Sequence, residues 1–217
     1  MHSRYQEWLN HLFDHPVSDP AWHWDLDAPS FSAEEPEIAE LIELTFRNSA
    51  TDLPRFTDAQ LNQGLWYLTS TACSDYFFAL RSENVPLVRR LSAIASIAVL
   101  YRDFFQQRCT KTLSHLNQEP RSPLNSICYM FWDICPISYI CGYPDEQQLA
   151  DACFSVLDAT FSIDHLACRE AAIHGYGEFS CSYPERVEQA LDRLLETEIG
   201  DARLREYAHN ARYHYIQ

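Results

Sequence analysis

Residues 86–105 read PLVRRLSAIASIAVLYRDFF, and this stretch decides the fold. Pro86 suits the first turn of a helix, where a missing backbone N–H costs nothing. Behind it, apolar residues recur at helical spacing through Phe105. The most apolar part, Leu91 to Tyr101, is too short to span a bilayer, and Arg102 and Asp103 follow at once.

Working outward, helix signals follow one another along the chain. Ser32-Ala-Glu-Glu35, Thr57-Asp-Ala-Gln60 and Ser182-Tyr-Pro-Glu185 each have the form of a capping box, in which a hydroxyl and an acid or amide side chain satisfy orphan backbone N–H groups. Ile38, Leu41, Ile42, Thr45 and Phe46 follow the first box, Leu61, Leu65 and Leu68 the second, and Val187, Ala190, Leu191, Leu194 and Leu195 the third. A helix over Tyr5 to Phe13 opens the chain, and Leu204, Tyr207, Ala208, Ala211 and Tyr215 mark the last one. Between Phe13 and Ser32, Pro16, Pro20 and Pro29 punctuate a loop that holds Trp22, Trp24, Asp25 and Asp27. No run alternates with period two, and no Asn-Gly or Asp-Gly turn occurs, so strands are not expected. The expected class is all-α in one domain over 1–217, an irregular segment and first helices over 1–56 preceding a helical body over 57–217.

Two segments 80 positions apart are alike. Val85-Pro-Leu-Val88-Arg89-Arg-Leu-Ser-Ala-Ile-Ala95 and His165-Leu-Ala-Cys168-Arg169-Glu-Ala-Ala-Ile-His-Gly175 both place an apolar residue before Arg, with small residues following at helical spacing. This resembles the helix of HEAT-like repeats, especially the short form of phycobilisome-lyase-type repeat proteins. The resemblance implies an α-α superhelix of helical hairpins, close helix approach at the small residues, and an Arg that reaches a carboxylate of the adjoining repeat. Such repeats serve mostly as binding scaffolds. Where an intermediate copy is expected, Leu124 to Asp133 is helical in pattern but bulky and lacks the Arg. The chain as a whole also resembles bacterial proteins that carry no assigned mechanism.

Composition excludes several classes. With 47% hydrophobic and 13% aromatic residues, the chain is too apolar to remain disordered. The net charge of −15 repels phosphate backbones and anionic headgroups, so neither nucleic acid nor a membrane surface is an expected partner. Residues 1–60 carry 12 acids and 3 bases, and residues 143–217 carry 14 and 6, so two acidic ends flank a nearly neutral middle. The start of the chain lacks the unbroken apolar run of an export signal, and cytoplasmic residence is expected. The 8 cysteines form no Cys-x-x-Cys pair, sit mostly among apolar neighbours, and read as free thiols packed like small hydrophobes.

A search for chemistry returns few candidates. His165, Cys168 and His174, or His11 and His15, could gather soft ligands, but the spacing is wrong for zinc, and no metal or cofactor is expected. No nucleophile elbow is present, and Gly175-Tyr-Gly177 is too short for a dinucleotide loop. The acid pairs Asp25 with Asp27 and Glu34 with Glu35 are uninformative in so acidic a chain. Trp132-Asp133 reads either as an aromatic pocket with one carboxylate or as core. Arg81, Arg89, Arg90, Arg102, Arg108, Lys111 and Arg121 form the one basic region, which could bind an anion but is better suited to salt bridges between repeats.

The leading expectation is a non-enzymatic protein-binding module, in concrete form an immunity or antitoxin-type protein that neutralises a basic partner. Trp22 and Trp24 would be the aromatic anchors, with Asp25, Asp27, Glu34, Glu35, Glu37, Glu40 and Glu43 as the acidic face. The alternatives are an enzyme or small-molecule binder with a pocket near Trp132 and His174, and a structural subunit of an assembly.

Overall fold

The computed structural model describes residues 2–25, 27–196 and 200–216, and every regular element among them is helical. The helices are α1 (His2–Phe13), α2 (Glu35–Arg47), α3 (Ser49–Asp52), α4 (Asp58–Thr69), α5 (Leu87–Leu100), α6 (Gln106–Arg108), α7 (Leu124–Ile134), α8 (Glu146–Phe161), α9 (Leu166–Phe179), α10 (Pro184–Glu196) and α11 (Ala202–Ala211). A π turn, Tyr101–Phe105, carries α5 directly into α6, so the stretch that opens the sequence reading is one continuous rod. Among the described residues no helix is long and apolar enough to cross a membrane.

Local chemistry sets the helix ends. Thr57 and Gln60 form a reciprocal capping box at α4, as the sequence implies. The Ser32 box does not form. Helix α2 starts at Glu35, its Ser32 carbonyl accepts from Arg4, and its Glu35 carboxylate is drawn away by Ser82 and Asn84. Glu35 and Glu37 in its first turn and Arg47 in its last still complement the helix dipole. Helix α10 begins at Pro184, one residue later than the Ser182 pattern requires.

Helices α2, α5 and α8 lie side by side in one row, and α4, α7 and α9 in a second, so the chain alternates between the rows. Helix α1 extends the second row beyond α4, while α10 and α11 cover α9. Aromatic rings fill the space between rows. Phe46 of α2 lies 6.3 Å from Phe131 of α7, and Phe77 and Tyr101 close on Phe131 at 5.8 and 6.0 Å. The buried Tyr101 hydroxyl donates to the Cys128 carbonyl, and Trp8 donates from Nε1 to Thr45, tying α1 to α2. One hydrophobic cluster runs from Tyr5 to Ile216.

Helix α9 is the most enclosed element, buried at every position from Glu170 to Phe179. Its small residues explain how neighbours come so close. A Cβ on Gly175 would lie 2.5 Å from Leu157 and 2.8 Å from the Trp132 ring, so only glycine lets α8 and α7 pack there. The matching arginines diverge. Arg89 reaches Glu43 on the neighbouring α2 at 3.7 Å, whereas Arg169 pairs with Asp164 just ahead of its own helix. The arginine buried in the core is Arg90, held by Asp145 and the Val85 carbonyl.

Candidate ligand site

The N-terminal residues divide into two groups. Trp22 is buried, stacked on His15 with ring centres 3.6 Å apart, while Trp24 is 56% exposed on the rim of a cleft of about 710 Å³. Asp25 and Asp27 are exposed beside it, and Asp25 accepts from the Asp27 backbone N–H. The acids of α2 are turned to structural use instead. Glu35 accepts from Ser82 and Asn84, Glu37 pairs with Arg4 at 2.9 Å, and Glu43 takes Arg47 and Ser92. Burial alone would raise the Glu43 carboxyl, but hydrogen bonds from Ser92 and Arg47 hold it below its ordinary range. Glu34 is exposed and Glu40 half-buried. The loop residues Trp22, Trp24, Asp25 and Asp27 are thus gathered, and the α2 acids serve as clamps between helices.

Most of the basic region is consumed in the same way. Arg90 pairs with Asp145, Arg102 with Asp103, Arg108 with Asp58 and Arg121 with Glu119, and Arg81 donates to the Pro136 and Tyr139 carbonyls. His165 Nε2 is spent on the Cys109 carbonyl, its buried Nδ1 having no hydrogen-bond partner, and His11 is spent on Tyr76. Among the described residues no three His, Cys, Asp or Glu side chains converge closely enough to hold a metal ion.

The chemistry concentrates at one end of α7 and α9. Glu170, His174 and Glu178 follow one another every four residues on α9, forming a single stripe of ionisable groups on an enclosed helix. Glu170 is 0% exposed and fully engaged, accepting from the backbone N–H groups of Ser114 and His115 and from His115 Nδ1. His115 stacks on Tyr207 with ring centres 4.1 Å apart, and the Tyr207 hydroxyl lies 2.7 Å from His174 Nδ1. The stripe then opens into a cavity of about 350 Å³.

His174 and Glu178 line that cavity from α9, and Tyr129, Met130 and Asp133 from α7. Tyr139 closes one side, and His214 and Ile216 arrive from the chain end. His174 is 3% exposed, yet its Nε2 has no hydrogen-bond partner. The nearest carboxylate oxygen, on Glu178, is 3.7 Å away, inside ion-pair range but beyond a hydrogen bond. Glu178 accepts from the Tyr139 hydroxyl at 3.2 Å. Asp133 is half-buried, and no hydrogen bond or ion pair reaches its carboxylate from the described residues.

These surroundings displace the protonation equilibria. Burial raises the Glu178 carboxyl and nearby Asp133 adds to it, while burial also raises Asp133 itself. Burial lowers the His174 imidazole to about 4, assisted by His115 and His214. The Tyr139 hydroxyl is pushed up to about 12 by burial and by Glu178. Burial is the leading cause of each of these shifts, and their convergence on one cavity makes it the candidate site.

The sequence reading singled out His174 and Trp132, and only His174 lines the cavity. Trp132 is fully buried behind it, 6.0 Å from Phe179 and under Gly175. Its neighbour Asp133 faces the cavity instead. Glu178, Tyr139 and His214 escaped the reading. The four-residue spacing of Glu170, His174 and Glu178 is the signal that could have found Glu178. No family model, no curated protein and no solved structure matches the chain.

Proposed function

We propose that this protein is a small-molecule binder whose site is the cavity between α7 and α9. The observation that carries the reading is the unpartnered Nε2 of a buried His174, a residue lining a cavity flanked by two carboxylates. A buried polar atom left bare costs stability, and a ligand that supplies its missing partner offsets that cost. The helical body fits the role of a scaffold. Alternation of the chain between two rows, with Arg89 reaching the neighbouring helix, supports an α-α stack of HEAT-like hairpins.

A thermal-shift screen of small polar molecules tests the reading. Hits should raise the melting temperature of the wild type and lose their effect in Asp133→Asn and His174→Gln. Hits that stabilise all three proteins equally would refute it.

A second reading, recognition of a basic protein partner, is favoured by one observation. Trp24 is exposed beside Asp25 and Asp27 on the rim of a cleft of about 710 Å³, a suitable anchor for a cationic surface. Under that reading Trp24→Ala slows association with a basic partner, and salt slows it further.

A further inference from the structure

Resting on the binding reading above, we propose that the occupant of the cavity is a small donor-rich cation, bearing an amidinium, guanidinium or protonated amine group, held by the Asp133 and Glu178 carboxylates and by His174 Nε2.

The argument begins with proton bookkeeping behind the cavity. The Ile216 carbonyl can only accept, and the Tyr207 and Tyr129 hydroxyls lie 3.0 and 3.1 Å from it. Those hydroxyls are 2.8 Å apart, and Tyr207 is 2.7 Å from His174 Nδ1. Two hydroxyl protons must serve this set. If His174 carries its proton on Nδ1, that N–H donates to Tyr207, Tyr207 donates to Ile216, and Tyr129 donates to either oxygen, so three bonds form. If the proton sits on Nε2, only two bonds form here and a buried N–H is left bare. Orphaned buried donors are rarer than under-used acceptors. The Nδ1–H tautomer therefore wins, and Nε2 presents a lone pair to the cavity.

The other walls have the same polarity. His214 Nδ1 stands 2.9 Å from the Gly177 carbonyl, to which it donates. The Tyr139 proton is spent on Glu178. No Lys or Arg is among the lining residues. The cavity thus offers acceptors and negative charge, with Tyr129 and Met130 as an apolar side. An anion would meet repulsion from both carboxylates. A bare metal ion would need ligands converging more closely than these do. A flat cation with several N–H groups matches both the charge and the donor deficit.

Three isosteric probes separate the possibilities: acetamidinium, acetamide and acetate, with benzamidine, benzamide and benzoate covering a larger occupant. Binding is followed by calorimetry and by ¹⁵N shifts of the His174 ring. The free protein should show the Nδ1–H tautomer, and the amidinium should bind at least about tenfold tighter than its neutral and anionic partners. That preference should vanish in Asp133→Asn/Glu178→Gln, with the helical spectrum retained. An Nε2–H tautomer in the free protein would overturn the argument at its root. Tighter binding of amides or carboxylates with shifts at His174 would overturn the cation assignment and leave the binding reading intact. If no probe moves the His174 signals, both fall together.

Discussion

Acidification isolates His174 better than any deletion. In the folded chain its ring is held near 4, chiefly by burial, against an ordinary value of 6.5. Between those values the unfolded chain takes up a proton that the folded chain refuses, so stability is fully present above pH 6.5 and falls as pH drops. A difference of about 2.5 units corresponds to about 3 kcal/mol lost by pH 4. The ring is almost wholly enclosed, so solvent screening does not reduce that figure much. The groups facing it are Tyr207, Tyr129 and Glu178, with His115 and His214 acting at longer range. Asp133 and Glu178 act in the opposite sense, because their raised carboxyls favour the fold as they protonate. Comparing wild type with His174→Gln cancels their share. Urea denaturation from pH 7 to pH 4 should show the wild type losing about 3 kcal/mol more than the variant. His11, also lowered to about 4 by burial, titrates in both proteins and drops out of the difference. Parallel pH profiles, or a His174 NMR titration centred near 6.5, would refute the reasoning.

Two further perturbations test the scaffold. Gly175→Val should cost about 1–3 kcal/mol in urea denaturation, because the added carbons collide with Leu157 and the Trp132 ring, although a glycine replaced in an open helix would stabilise it. Asp145→Ala should cost about 3–5 kcal/mol by the same measurement, because it strands the guanidinium of Arg90, which is 3% exposed, whereas Arg90→Met, which removes the buried charge itself, should cost less.

Where local chemistry decided the structure, the sequence was legible. The helical class followed from period 3.6 throughout, and the Thr57 box formed because the one distant partner of Gln60, the His15 carbonyl, takes its Nε2 and leaves Oε1 for the cap. The Ser32 box had rivals: Ser82 and Asn84, 47 and 49 positions away, take the Glu35 carboxylate that would have closed it. The α2 acids failed to stand as an open face for the same reason, since Arg4, Arg47 and Ser92 claim them only after the chain has folded. His174 was noticed for its ring, but its partners Tyr207, His214 and Ile216 lie over thirty positions downstream, where no local period could announce them. Glu178 was hidden by its surroundings, because a carboxylate among Ile173, Tyr176 and Phe179 disturbs an apolar pattern without revealing what it faces.

The stripe on α9 also bears on why such a costly arrangement persists in a packed core. Burying an ionisable group is unfavourable unless hydrogen bonds replace its hydration. Glu170, deepest on the stripe, receives three donors, two of them backbone N–H groups that cannot move away. His174 is satisfied on its inner nitrogen and bare on its outer one. Glu178, at the cavity, has the Tyr139 hydroxyl at 3.2 Å, and Asp133 across from it has no donor among the described residues. Along α9 the deficit grows toward the cavity, while other buried atoms without partners, among them Thr160 Oγ1, His165 Nδ1 and Trp132 Nε1, lie elsewhere in the core. Under the proposed binding reading, the outermost partners of the stripe belong to the occupant. Its corollary is quantitative: an occupant present at about 100 times its Kd should add about 2.7 kcal/mol to the fold. The added stability should disappear in Asp133→Asn/Glu178→Gln, while losing Trp24 at the distant cleft should leave it unchanged.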